Sequence, residues 1–80
     1  MIPDRGSLNI QRRRLGFRLE EARKAKGMTL SEAGRLLGKP HTWVWKIEAG
    51  ERRVDAVELW HICRAYDLDF EGFLREVVDG

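Results

Sequence analysis

Apolar residues recur three and four apart along almost the whole chain, and few stretches alternate apolar and polar as a half-buried strand would. Leu15, Leu19 and Ala22 mark the buried stripe of a first helix predicted over Asn9–Lys26, with Gly27 just past its end. Thr29-Leu30-Ser31-Glu32 has the T-x-x-E form of a capping box and opens a second helix, whose apolar face is Ala33, Leu36 and Leu37 and whose end is Gly38. A third helix begins near Pro40, which suits a first turn because its missing N–H costs nothing there. Val44 and Ile47 give that helix its inner face, and Gly50 closes it. Asp55-Ala56-Val57-Glu58 is a second capping-box pattern, followed by the stripe Leu59, Ile62, Cys63 and Tyr66. Asp67 falls where a left-handed residue is needed. A fifth helix starts near Asp69 and carries Phe70, Phe73, Leu74, Val77 and Val78. The expectation is an all-α domain of five helices over residues 9–80. Residues 1–8, with Pro3, Gly6 and Ser7, are expected to form a loose arm. Leu36, Leu37, Val44, Ile47 and Leu59 are expected in the core.

Eighty residues bury one modest core. The usual aids to a small core are missing from the sequence. A single cysteine, Cys63, forms no internal disulfide, and His61 lies two residues away, on a different helical face. His41 and His61 do not join it at metal-ligand spacing, so neither a metal nor any other cofactor is expected. A second copy of the chain is the expected extra source of stability. The fifth helix has more apolar residues than one face needs, and Phe73 and Val77, four apart, are the expected two-fold contact. The opening residues have no apolar core like a secretory signal and no segment reaches transmembrane length, which together with the unpaired cysteine predicts a cytoplasmic protein with no membrane partner.

Charge is distributed unevenly. Residues 1–26 hold eight basic side chains against three acidic, and residues 54–80 hold two against seven. The basic end can meet phosphates and the acidic end is repelled by them. Arg12-Arg13-Arg14 reads as a solvated face that adds non-specific attraction to a polyanion.

The informative stretch is Thr29–Gly50: two short helices joined by a tight turn at Gly38, with Gly34 where a larger side chain would push them apart. That is helix-turn-helix geometry, whose second helix enters the DNA major groove. The runs Leu15-Gly16-Phe17-Arg18-Leu19, Gly27 to Gly34, Leu37-Gly38-Lys39-Pro40 and Val44 to Arg52 resemble the Cro/CI-type (XRE) family of phage and bacterial repressors over residues 12–74. The resemblance implies a compact, phage-repressor-like five-helix DNA-binding domain. It implies base-reading roles for His41, Thr42, Trp45 and Lys46. Backbone contacts are implied for Thr29 and Ser31 at a helix N-terminus, for Trp43 at the groove edge, and for Arg52 and Arg53 in the loop after the third helix. It also implies an Arg23–Glu48 pair between the first helix and the end of the third. The sequence departs from the family at Leu30, where glutamine is usual, at Lys39, where an apolar residue is usual, and in the histidine and two tryptophans of the third helix.

Trp43 and Trp45 are two apart and cannot share a helical face, so at least one is exposed unless a partner covers it. Trp45 is expected against base edges or thymine methyls, whereas Trp43 suits either the core or the groove edge. Cys63 reads as a small core residue. No nucleophile–base set, metal cluster, phosphate-cradling loop or carboxylate pair points to an enzyme. The expected function is sequence-specific binding of double-stranded DNA, as a homodimer on an inverted-repeat operator, with transcriptional repression as the outcome. An antitoxin with a toxin partner, or a restriction–modification controller, would use the same fold. The short spare segments 1–8 and 75–80 favour the stand-alone repressor.

Overall fold

In the computed structural model, which describes residues 5–80, the chain forms α1 (Arg5–Ala25), α2 (Leu30–Leu37), α3 (His41–Glu48), α4 (Ala56–Ala65) and α5 (Phe70–Asp79). No strand occurs among the described residues. The caps are those the sequence encodes. Thr29 Oγ1 accepts from the Glu32 N–H while Glu32 Oε1 accepts from the Thr29 N–H, and Asp55 and Glu58 make the same reciprocal pair at α4. Asp69 Oδ2 accepts from the Gly72 N–H at the start of α5. Asp67 is the one non-glycine residue at positive φ among those described, at 57°. Its carboxylate pairs with Lys26, which holds its pKa below the ordinary value.

Two element boundaries differ from expectation. Pro40 is the extended residue just before α3 rather than part of its first turn. α1 begins at Arg5, so residues 5–8 of the expected arm are helical and residues 1–4 lie outside the described residues. Once a helix is nucleated, each added residue gains a hydrogen bond at little further cost, so Gly6 and Ser7 do not stop it.

The core gathers Leu19 of α1, Ala33 of α2, Val44 and Ile47 of α3, Leu59, Ile62, Cys63 and Tyr66, and Phe73 and Val77 of α5. Burial pushes the Cys63 thiol pKa up, and burial followed by the nearby Glu48 charge pushes the Tyr66 phenol up to about 12. α2 packs on α3 and α4, α1 on α3 and α5, and α4 on α5.

Leu36, expected inside, is 62% exposed. Consecutive helical residues differ by about 100° in direction; Leu37 takes the place against the core, and Leu36 turns outward. Phe73 and Val77, expected at a two-fold contact, are only 8% and 2% exposed within a single chain. They face α1 and α4 and offer no surface to a partner. The other apolar side chains of α5 are Phe70 and Leu74, half-buried at the edge of the core, and the exposed Val78, one turn apart along its outer face. Arg14 also departs from the solvated reading: its Nη1 donates to Val77 O at 2.7 Å, and so caps the negative C-terminal end of α5.

Two glycines let helices approach. A Cβ on Gly16 would lie 2.5 Å from Glu48 O and 2.7 Å from Ile47 O, where α1 crosses the end of α3. A Cβ on Gly34 would lie 2.5 Å from Lys39 O, in the turn that Gly38 makes at φ 68°. Both obstacles are backbone, which does not swing aside. The same crossing holds a buried ion pair. Arg23 Nε donates to Glu48 Oε2 at 2.7 Å, Nη2 to Glu48 Oε1 at 3.0 Å, and Nη1 to Met28 O at 2.8 Å. The two side chains are 8% and 6% exposed. Glu48 fixes the guanidinium in its charged form, raising its pKa against the opposing effect of burial.

Gly16→Ala and Gly34→Ala are each expected to cost about 1–3 kcal/mol, the range for overpacking a filled interior, with urea midpoints falling accordingly. An Ala at Gly16 that leaves the midpoint unchanged would show that α1 and α3 can separate freely. Glu48→Ala is expected to cost about 3–5 kcal/mol, because it strands a buried guanidinium. The double change Arg23→Met with Glu48→Leu is expected to cost less than the single one. The same urea titrations decide this, and equal midpoints for Glu48→Ala and wild type would mean that the pair contributes nothing.

Candidate nucleic-acid interface

α3 presents two unlike sides. Val44 and Ile47 are buried, 3% and 4% exposed, and fix the helix to the core. His41, Thr42, Trp45 and Lys46 are all exposed. They stand at i, i+1, i+4 and i+5, which places them together on the side turned from the core. The structure thus unites the four expected base-reading residues on one surface. It also separates the two tryptophans. Trp45 is 46% exposed, whereas Trp43 is half-buried and packs against the core. A tryptophan left this open beside a lysine and a histidine provides an apolar plate among hydrogen-bonding groups.

The position of this surface follows from the chain on either side. The turn before α3 closes through Lys39 N–H to Gly34 O at 2.8 Å and Gly38 N–H to Arg35 O at 3.3 Å. After α3, Gly50 adopts φ 77°, and the N–H groups of Glu51 and Arg52 both donate to Lys46 O. That C-terminal closure sends the chain sharply away and brings Arg52 and Arg53 beside the helix end.

The expected backbone-contact residues fall into two groups. Ser31 and Arg53 are exposed, and Arg53 makes no ion pair among the described residues. Thr29 is exposed, but its hydroxyl and N–H are engaged in the capping box. The Glu32 carboxylate, its pKa lowered by the Thr29 backbone and hydroxyl, already sits at that helix start. Arg52 turns inward. Its Nη1 and Nη2 meet Glu58 Oε1 and Oε2 at 3.2 and 3.1 Å, and its guanidinium carbon lies 5.0 Å from the centre of the Trp43 ring. Lys39 Nζ lies 5.4 Å from the same ring. The sequence reading missed Glu58 as anything but a cap, although an acidic residue six positions after an arginine in a short loop is a visible signal. A basic cleft lies nearby: Arg12, Arg52 and Arg53 surround an apolar floor of Leu15, Ile47 and Val54.

Among the described residues no cluster of side chains could hold a metal ion, and no helix is long and apolar enough to cross a membrane.

A helix-turn-helix domain model matches residues 14–75. No curated protein sequence matches. Among solved structures, the restriction–modification controller protein C.AhdI from Aeromonas hydrophila is 30% identical, with a TM-score of 0.71 over 76% of this chain and 92% of that one. The clp gene regulator ClgR from C. glutamicum is 26% identical, with a TM-score of 0.79 over 86% of this chain and 88% of that one. An HTH_3 family transcriptional regulator from Vibrio cholerae shares the fold at 24% identity and a TM-score of 0.75, over 85% of this chain and 38% of that one. With the matched segment running from within α1 to within α5, and α2 and α3 at its centre, the chain belongs to the helix-turn-helix domain family, of the XRE type.

Proposed function

We propose that the protein binds double-stranded DNA sequence-specifically as a homodimer and represses transcription from the operator it occupies. The observation that carries this reading is the exposed quartet His41, Thr42, Trp45 and Lys46 on a helix whose opposite side is locked into the core. A helix held in this way enters the major groove as a rigid body. Lys46 and His41 supply donors for guanine or phosphate, and Trp45 supplies an apolar surface for thymine methyls. Arg53 and the exposed Ser31 hold the backbone and set register without reading sequence, while Thr29 stays in its capping box. The acidic α5 packs on α1 and α4 rather than beside the quartet, which keeps its charge from opposing the approach of phosphate. We further infer a cytoplasmic protein, with DNA and a second copy of the chain as partners and catalysis no part of its task. A role controlling a restriction–modification operon is the second reading, favoured by the likeness to C.AhdI over nearly all of that chain.

The dimer contact is assigned to the outer face of α5, where Phe70, Leu74 and Val78 line a shallow apolar groove edged by Glu71, Arg75 and Asp79. Charges of both signs along the edge suit a two-fold pairing, since each copy offers the other both an acid and a base. Sedimentation at micromolar concentration is expected to show a dimer. Val78→Glu, a change at the exposed end of the groove, is expected to give a folded monomer. A wild-type chain that stays monomeric while binding its operator tightly would refute the assignment.

The reading itself is tested on a site selected from random DNA and on a scrambled duplex, each titrated at two salt concentrations. Arg53→Ala is expected to weaken both duplexes alike and to lower the salt slope by about one unit. Trp45→Ala is expected to cost about 1–3 kcal/mol on the selected site, little on the scrambled one, and to leave the slope unchanged. Equal losses on the two duplexes for Trp45→Ala would remove it from the base-reading surface. Failure to select any site would overturn sequence-specific binding.

A further inference from the structure

Arg52 is the residue whose sequence-based role and structural placement differ most. It stands in the loop that would touch phosphate, yet both terminal nitrogens are committed to Glu58, and Nη1 also donates to Arg53 O at 2.7 Å. Glu58 cannot follow it outward, because Glu58 Oε1 also accepts from the Asp55 N–H at 3.0 Å in the α4 capping box. The Arg52 guanidinium lies over the ring of Trp43 on α3, and Lys39 of the α2–α3 turn flanks the same ring. Four elements therefore meet here: the turn through Lys39, α3 through Trp43, the following loop through Arg52, and α4 through Glu58. Lys39, Trp43 and Glu58 also share one small cleft with Leu37 and His61. α4 packs mainly on α2 and α5, so side chains rather than backbone packing connect it to α3.

We propose that Arg52 is a positioning residue: clamped between Glu58 and Trp43, it sets the pitch of α3 relative to α4 and does not itself bind phosphate. Two physical arguments support this over a phosphate role. Releasing the guanidinium to DNA would break a bidentate, charge-assisted pair. It would also leave the Glu58 carboxylate uncompensated close to a polyanion, so the exchange is penalised twice. An arginine fork is the side chain suited to the task, since its planar group can meet a carboxylate edge-on and an indole face-on at once. Arg53, exposed beside it, is left as the loop's phosphate contact. The inference rests on the DNA-binding reading for its consequence, but the clamp itself is read without DNA.

The test uses Arg52→Ala, Arg52→Lys and Glu58→Gln in the full chain. Glutamine keeps an oxygen to accept from the Asp55 N–H, so the α4 cap survives while the charge is lost. Without DNA, the Trp43 indole N–H resonance, assigned by its loss in Trp43→Phe, is expected to shift in all three variants. On the selected duplex, all three are expected to bind roughly two- to tenfold more weakly, with the salt slope of wild type. Lysine is not expected to rescue, because it keeps the charge but not the fork. A phosphate role predicts the reverse: a slope lower by about one unit for Arg52→Ala, rescue by lysine, and tighter binding by Glu58→Gln. Any of these three results, or an unmoved Trp43 resonance in Arg52→Ala, overturns the proposal. If wild type selects no duplex, the DNA-binding reading fails, while the indole shifts still decide whether the clamp exists.

Discussion

The Arg23–Glu48 pair is the constraint around which the domain is arranged. A guanidinium and a carboxylate, each more than nine-tenths buried, are tolerable only if both are fully satisfied. Satisfaction here requires α1, the Met28 carbonyl of the α1–α2 loop, and the last residue of α3 to meet at one point. That meeting requires α1 and α3 to come within backbone contact, which Gly16 permits by having no Cβ. The angle of α3 is thereby fixed at its C-terminal end from one side. Val44 and Ile47 fix it along its length, and the Gly34–Gly38 turn fixes its start.

Such redundancy matters because of what α3 carries. A surface that reads bases must hold its side chains to within a fraction of an ångström of productive geometry, so the supporting contacts matter as much as the exposed ones. In this domain the support consists of polar pairs over a small core: Arg23 with Glu48, Arg52 with Glu58, and Arg14 at the α5 C-terminus. A chain of this size cannot build rigidity from apolar area alone. Directional bonds between helices supply orientation that non-directional burial does not.

The exposed apolar residues divide into those with a reading and those without. Trp45 belongs to the α3 surface, and Val78 to the α5 groove. Trp60 on α4 is 46% exposed, with Arg64 5.3 Å above its ring and His61 edge-on at 5.2 Å; nothing in the structure shows what would cover it. Ile10 and Phe17 on α1 and Val57 on α4 are likewise open.

Local sequence accounts for the five helices, the capping boxes of α2 and α4, the left-handed turns at Gly38, Gly50 and Asp67, and the inner faces of α3 and α4. Each of these depends on residues within one or two turns of each other, whose hydrogen bonds and spacing are local. It also made the α3 quartet legible, because a helix with Val44 and Ile47 inside must present His41, Thr42, Trp45 and Lys46 outside. Only the tertiary structure shows that Leu36 faces outward, that Phe73 and Val77 are spent inside the monomer, and that Trp43 packs against the core. It decided likewise that Arg14 caps a distant helix and that Arg52 turns to Glu58. In each case the sequence left two directions open at similar local cost. The choice came from contacts with elements far along the chain, which periodicity within one helix does not encode.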